Sequence, residues 1–416
     1  MRINARLCIR CRGIRSLCKR PTCPILTRFK FQVAIAEKLS EATLLGATPP
    51  EVLVGSKLWP KVTIGPLLTP FRNEDARKLG DPMLLYGKSL DEIVALRSQL
   101  VRSVFRLHVK RARKPSRLLD LTREMGIAGD PVDAEALFDK PPKPRLRFDD
   151  VLAPSGMSGR LSDLKIVGNV SAPRKVESLV NDYDVKVSTA MQELYRANIS
   201  NYYIARLLSV GVLGVAKDRL IVPSRWSITA TDSVLSNYLA KKIVDFDELG
   251  EVQVFSQTYV GNRYEILLAP GPLSYEMVEI WLPDSVYMPK ANFVFIGSDH
   301  ETWRGKRVFS KAGGGYYAMK LPVYEYLYKI KRQAFAFALR EVTPDYYITI
   351  GSWKMREALR SGFKQPPKTF GSVVEALKDI SSRIATPFGR WFRRARLLRS
   401  YLTQTKMIEF IDSLKS

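Results

Sequence analysis

The sequence predicts an α+β fold, with mixed or antiparallel sheets and packed helices behind a small four-cysteine zinc knuckle. Three observations carry this. Strand-like runs bounded by Gly and Pro cluster at 252–282, helical patterns cluster at 187–209, and all four cysteines fall between residues 8 and 23. Strands and helices gathered in separate runs, rather than alternating one for one, are the signature of α+β architecture. At 416 residues with 46% hydrophobic content, the chain can bury a large core in two or three domains. No apolar run reaches the roughly 20 residues of a membrane helix. The basic N-terminus lacks the apolar segment of a secretory signal, so a soluble, cytoplasmic protein without membrane association is expected.

The cysteines come first, as Cys8, Cys11, Cys18 and Cys23, with spacing C-x2-C-x6-C-x4-C. A C-x2-C pair and two further thiolates suit a tetrahedral structural zinc with no open coordination position. Two disulfides are the alternative, less suited to a chain without an export signal. Residues 31–45 lean towards helix, and 52–54 and 62–64 read as strand, turn, strand around Trp59-Pro60. Leu90 to Leu100 is an amphipathic helix, followed either by its continuation, with Arg102, Arg106, Lys110 and Arg113 along one side, or by a strand from Val104 in which Arg106, His108 and Lys110 alternate with Phe105, Leu107 and Val109. Lys140 to Arg147 is a proline-rich loop. Helices follow at 187–197 and 200–209, then a short helix from Asp232 to Ile243. Strands 252–260, 263–268 and 276–282 read as an antiparallel meander, and Phe293 to Gly297 as a strand buried on both faces. Gly313 opens a helix to about Lys331, Ala334 to Glu341 is a buried strand, and Gly351 leads into another helix.

Net charge is the first functional clue. A formal charge of +25 on a foldable chain implies a polyanionic partner, most often nucleic acid. The charge is clustered: no acid precedes Glu37, and Arg383, Arg390, Arg393, Arg394, Arg396 and Arg399 lie between Asp379 and Glu409 with no acid among them. Such clusters track phosphates.

Arg219 to Asp232 mixes Ile221, Val222 and Trp226 with Arg219, Arg225, four hydroxyl residues and an Asp. Polar groups set beside apolar ones suit a partly enclosed binding site. A turn into a helix capped by Thr229 or Asp232 explains the same residues. Candidate catalytic acids are Asp182, Asp184, Asp232, Asp299 and Glu301, with Glu341 behind them and Arg225 or Arg332 at a phosphate. Converging, they would make a metal-dependent nuclease or other DNA-processing enzyme. His300 between Asp299 and Glu301 adds a possible metal ligand. Tyr316, Tyr317 and Trp353 read equally as base-stacking or core aromatics. The C-terminal Gln404, Met407, Phe410 and Ile411 fit Q-x-x-h-x-x-a-a, a pattern that docks into the hydrophobic pocket of the sliding clamp (PCNA). An ordinary amphipathic terminal helix is the other reading.

Taken in order, these blocks resemble the archaeal Nre family of DNA repair proteins over nearly the whole chain. The resemblance rests on Leu17-Cys18 through Cys23-Pro24, Pro49-Pro50 with Val54-Gly55, Val222 to Ala230, Gly314 to Ala318, Lys331 to Ala334, Arg340-Glu341, and Trp353 with Arg356-Glu357. It implies a four-cysteine region at 1–30, an N-terminal α+β domain at 31–300, a C-terminal α+β domain at 301–400 and a clamp-binding tail at 401–416. It also implies a chromatin-associated role in DNA damage repair. Arg225, Trp226, Arg332, Gln333, Arg340 and Arg356 are the nucleic-acid or ligand-binding candidates within the shared blocks. Lys19 stands where the family carries Gly, and Met407 and Ile411 replace the Leu and second aromatic of a strong clamp motif.

Overall fold

The computed structural model describes residues 10–11, 15, 17, 23–37, 39, 42–71, 74–114, 116–144, 156–288, 292–306 and 308–403. The chain forms two compact units, Met1–Leu235 with Ile348–Glu357, and Ser236–Tyr347 with Ala358–Ser416. Each holds a six-stranded mixed sheet with packed helices, the expected α+β class.

In the first unit the strands are β1 (Thr43–Thr48), β2 (Val52–Gly55), β3 (Lys61–Leu68), β4 (Val101–His108), β5 (Val132–Phe138) and β6 (Ser158–Val167). Their spatial order is β1-β5-β6-β4-β3-β2, antiparallel except for the parallel β4–β6 pair. The helix predicted around Phe31 is Pro24–Ala36, and Leu44 and Leu45 belong instead to β1. Leu90–Ser98 is helical as expected, held at its start by a reciprocal cap between Ser89 and Glu92. Of the two readings after it, strand is correct. Val101 and Ser103 face inward on β4, while Arg106 is exposed and Arg102 is half-buried against Thr63. The helices expected near 187–209 are Val187–Arg196 and Asn201–Ser209, the second capped by Ser200. Apolar residues from Ile35, Leu68, Val101, Met125, Ala134 and Leu164 build this unit's core.

The second unit's strands are β7 (Val252–Tyr259), β8 (Asn262–Ala269), β9 (Ser274–Trp281), β10 (Phe295–Thr302), β11 (Phe335–Val342) and β12 (Lys368–Phe370). β7 and β8 form the expected hairpin. Its two-residue turn, Val260-Gly261, has positive φ at both positions, the geometry of a type I′ turn. The predicted meander stops there. The order is β10-β9-β11-β8-β7-β12, with β11 inserted between β8 (antiparallel) and β9 (parallel). Every residue of β11 is buried, the apolar run Phe335 to Leu339 as its composition requires and Arg340 and Glu341 through ion pairs. Phe335, Phe337 and Leu339 meet the Val373–Arg383 helix, Trp391 and Leu398 in one core.

β10 corrects a second expectation. It is an edge strand whose first residue, Phe295, is exposed, as is Phe293 just before it, and whose polar end is buried at Asp299 and Glu301. An apolar run predicts a strand, but whether its faces are covered depends on where it sits in the sheet. No helix among the described residues is long and apolar enough to cross a membrane.

Candidate nucleic-acid interface

The stretch that carries both acid and arginine candidates is helical from Ser224, and the helix continues to Ile243. It starts directly after Pro223, well before the caps proposed at Thr229 or Asp232. Ser224 is fixed there because its Oγ accepts the Val54 amide at 2.9 Å. The 3.6-residue period then divides the residues that adjacency in sequence had joined. Ser227, Thr231 and Asp232 turn inward, and Arg225, Trp226 and Ala230 face solvent.

Asp232 is a core group. Its carboxylate accepts Arg356 Nη1 at 2.5 Å and Asn201 Nδ2 at 3.5 Å. Arg356 donates further to Tyr202 Oη at 3.3 Å and to Ser352 Oγ at 3.3 Å, with its guanidinium 5.0 Å from the Tyr202 ring centre. Tyr202 Oη in turn donates to Glu357 at 2.6 Å. Both ionised side chains are only 1% exposed. Burial on this scale is tolerated because each charge meets its opposite and hydrogen bonds occupy the remaining valences. A phosphate cannot reach Arg356 here; its guanidinium holds the first unit together.

The other acids are also engaged separately. Asp182 Oδ1 accepts the amides of Asp184 and Val185 at 3.0 Å, closing an exposed turn before the Val187 helix. Asp299 and Glu301 lie two apart on β10 and so share a face, which leaves His300 on the other. Asp299 accepts Ser310 Oγ at 2.8 Å and the Lys311 amide at 2.9 Å and pairs with Lys306. Burial opposes ionisation of Asp299, but the Lys306, Ser310, Lys311 and His300 donors outweigh it and hold the carboxyl below the usual carboxylate range. Glu301 pairs with Lys320 at 2.5 Å, both nearly inaccessible. Glu341 accepts Arg263 at 2.8 Å and the Ala385 and Thr386 amides at 3.0 and 2.9 Å. Among the described residues no three His, Cys, Asp or Glu side chains form a group that would hold a metal. The acids that a metal-dependent nuclease would need are therefore not brought together as a metal site.

Most of the remaining candidates serve the second unit. Arg340 is buried against Glu279 and donates to Asn262 Oδ1 through Nε at 3.0 Å. Gln333 latches three backbone groups: its Oε1 accepts the Leu273 amide at 3.0 Å, and its Nε2 donates to the Val244 and Phe246 carbonyls at 3.2 and 2.7 Å. Arg332 stays half-exposed beside Asp247 at 3.1 Å. Tyr316 and Tyr317 are core residues, which decides between their two readings. Lys320, which the sequence did not single out, is 1% exposed and adds Asn237 at 3.3 Å to its Glu301 contact. Burial pushes the Lys320 ammonium below its ordinary range, while Glu301 acts in the opposite direction.

What remains at the surface is cationic and aromatic. In the second unit Arg390, Arg393, Arg394, Arg396 and Arg399 are all exposed around the Phe388–Phe392 and Arg396–Thr403 helices. The latter helix is anchored by Glu276, whose carboxylate accepts the Leu397 and Leu398 amides at 3.1 and 2.8 Å. Arg383 differs from its neighbours, being spent on Glu265 at 2.8 Å and Asp379 at 2.6 Å. In the first unit Arg225 and Trp226 are joined by Trp59, read from sequence only as part of a turn. The two indole centroids lie 4.9 Å apart. Lys57 and Lys61 on either side of Trp59 were the available signal.

Cys11 is buried and Cys23 half-buried at the start of the Pro24–Ala36 helix. Cys8, Cys18 and the tail residues Gln404, Met407, Phe410 and Ile411 lie outside the described residues.

Comparison with known families covers almost all of this chain. Residues 17–288 match the model for the archaeal Nre N-terminal region and residues 301–410 that for the archaeal Nre C-terminal region. The chain belongs to the archaeal Nre family. Among relatives of this Nre chain, DNA repair protein NreA of Archaeoglobus fulgidus is 36% identical over 377 residues, spanning 91% of this chain and 93% of that protein. DNA repair protein NreB of the same organism is 33% identical, spanning 94% and 97%. DNA repair protein NreA of Haloferax volcanii is 30% identical, spanning 91% and 92%. No solved structure matches the Nre chain.

Proposed function

We propose that this Nre-family chain is a DNA repair factor that binds DNA through its exposed arginine and lysine clusters and is recruited by the sliding clamp. The observation that carries the repair role is full-length similarity to three proteins named for DNA repair, each covered over more than nine-tenths of its length. The cationic surfaces support the DNA-binding part, since guanidiniums left at the surface of a +25 chain are suited to phosphates. Binding to DNA is expected to weaken as salt rises, with a log–log slope of roughly −0.9 per phosphate contact on duplex DNA. Fluorescence anisotropy across a salt series measures it; an affinity indifferent to salt, or no binding at low salt, overturns the DNA-binding reading.

The clamp and metal proposals rest on sequence. Gln404, Met407, Phe410 and Ile411 would enter the clamp's pocket as a short helical turn, and Cys8, Cys11, Cys18 and Cys23 would hold a structural zinc as four thiolates. One preparation of the full chain tests both. Metal analysis is expected to give one zinc per chain. Truncation after Thr403 is expected to abolish clamp binding while leaving zinc content and thermal unfolding unchanged. Retained clamp binding removes the motif from the proposal, and a zinc-free, folded chain removes the knuckle.

A further inference from the structure

We infer that Trp59 and Trp226 form a stacking platform for an unpaired base of single-stranded DNA, with its phosphates held by the lysines and arginines around it. This rests on the DNA-binding reading above and gives it a place and a strand preference. Trp59 is 45% exposed, Trp226 is 44% exposed and Leu58 beside them is 49% exposed. A lone apolar residue in solvent is common, but two indoles touching each other at the surface concentrate apolar area in one spot. The rings are inclined by 55°, so they present two differently tilted π-faces rather than closing on one another.

The platform is held by three segments far apart in sequence. Trp59 sits in the turn between β2 and β3, and Trp226 in the first turn of the Ser224–Ile243 helix. The Val54 amide donates to Ser224 Oγ and ties β2 to that helix. Val109 joins the rest: its amide donates to the Pro60 carbonyl at 3.0 Å, and its carbonyl accepts the Ile221 amide at 3.1 Å. Arg113 Nε adds a bond to the Arg219 carbonyl at 3.2 Å. A surface ordered in this way loses little conformational freedom on binding.

Five cations lie on the segments that carry it. Lys57 and Lys61 flank Trp59, Arg225 precedes Trp226, and Lys110 and Arg111 lie on the turn that Val109 opens; all five are exposed. None has a carboxylate partner among the described residues. Lys61 and Arg106 also share the sheet face opposite the buried Val62 and Ile64. Aromatic faces beside unpaired cations suit a strand whose bases are free to stack, whereas a duplex hides those faces.

The test uses the full chain and anisotropy with three probes: oligo-dT, a duplex of equal length, and an oligonucleotide with abasic sites in place of bases. Trp59→Ala and Trp226→Ala are each expected to lower oligo-dT affinity about tenfold, the scale of one base–aromatic stack. Trp59→Phe should retain most of the affinity. Duplex and abasic affinities should stay within about twofold, and the salt slope should not move. Equal losses on all three probes, or unchanged oligo-dT binding in both alanine variants, overturn the platform. A wild-type chain that binds none of the probes overturns the DNA-binding reading itself. Thermal unfolding of each variant separates lost stacking from lost fold, and Trp59→Phe keeps the test open if an alanine variant unfolds.

Discussion

Arg356→Met is expected to destabilise the first unit by about 3–5 kcal/mol, the scale for breaking a buried ion pair from one side. The expectation follows from what would remain. Asp232 would keep its position on the inner face of the Ser224–Ile243 helix at 1% exposure, without the 2.5 Å donor opposite it. Tyr202 and Ser352 would each lose the guanidinium they now accept from. Removing both charges together, as Arg356→Met with Asp232→Leu, should cost less than removing Arg356 alone, because no stranded carboxylate is left. Urea unfolding, followed by fluorescence and by circular dichroism, gives the three values. A loss below about 1 kcal/mol for Arg356→Met would mean that the pair behaves like a surface contact, and that the inward assignment of Asp232 is wrong. The prediction also separates two roles that the sequence left open. If Arg356 gripped DNA, the variant would lose affinity and keep its stability; as a core group it loses stability first.

The strands and helices were legible wherever periodicity is strong and the ends carry turn residues or caps. The β7–β8 hairpin and the helices between Val187 and Ser209 follow from pattern alone. Strand partners were not legible. Nothing local in β11 states that it enters between β8 and β9, because pairing is decided by sheet topology and not by the strand's own alternation. Burial of charge was the harder failure. Asp232, Asp299, Glu301, Arg340 and Arg356 looked like site residues because ionised groups beside apolar ones are common in sites. The same pairing also makes a satisfied core. A sequence lists the charges but not their partners, and some of those partners lie far away along the chain, as Arg356 does from Asp232 and Glu279 from Arg340. Trp59 was missed for the opposite reason. In a Pro-bounded turn its apolar side chain reads as local packing, and only the fold brings Trp226 beside it.

The second large effect is expected at Lys320. Its ammonium lies between Tyr317 and Tyr324, 5.9 and 5.5 Å from their ring centres, and touches Glu301. Lys320→Met should cost about 3–5 kcal/mol, since it leaves Glu301 buried without its counter-charge. Glu301→Gln should also destabilise, leaving the ammonium uncompensated. The double variant should recover part of the loss, with a coupling of about 0.5–3 kcal/mol in the cycle. A pH arm distinguishes a buried charge from a merely well-packed methylene chain. Burial first of all pushes the Lys320 ammonium below its ordinary 10.5, against the opposing influence of Glu301. Between that lowered value and 10.5 the unfolded chain binds more protons than the folded one, so this group's contribution to stability rises with pH. Its cost is fully present below the lowered value and is relieved towards 10.5. Tyr275, Tyr316 and Tyr324 work in the other direction, because burial raises them and the unfolded chain gives up their protons first. Those tyrosines are common to both proteins in a comparison of Glu301→Gln with the double variant. The stability of Glu301→Gln relative to the double variant should therefore rise through the alkaline range. A flat difference would mean that Lys320 carries no buried charge to relieve, and the pair would lose its claim to organise the second unit's polar core.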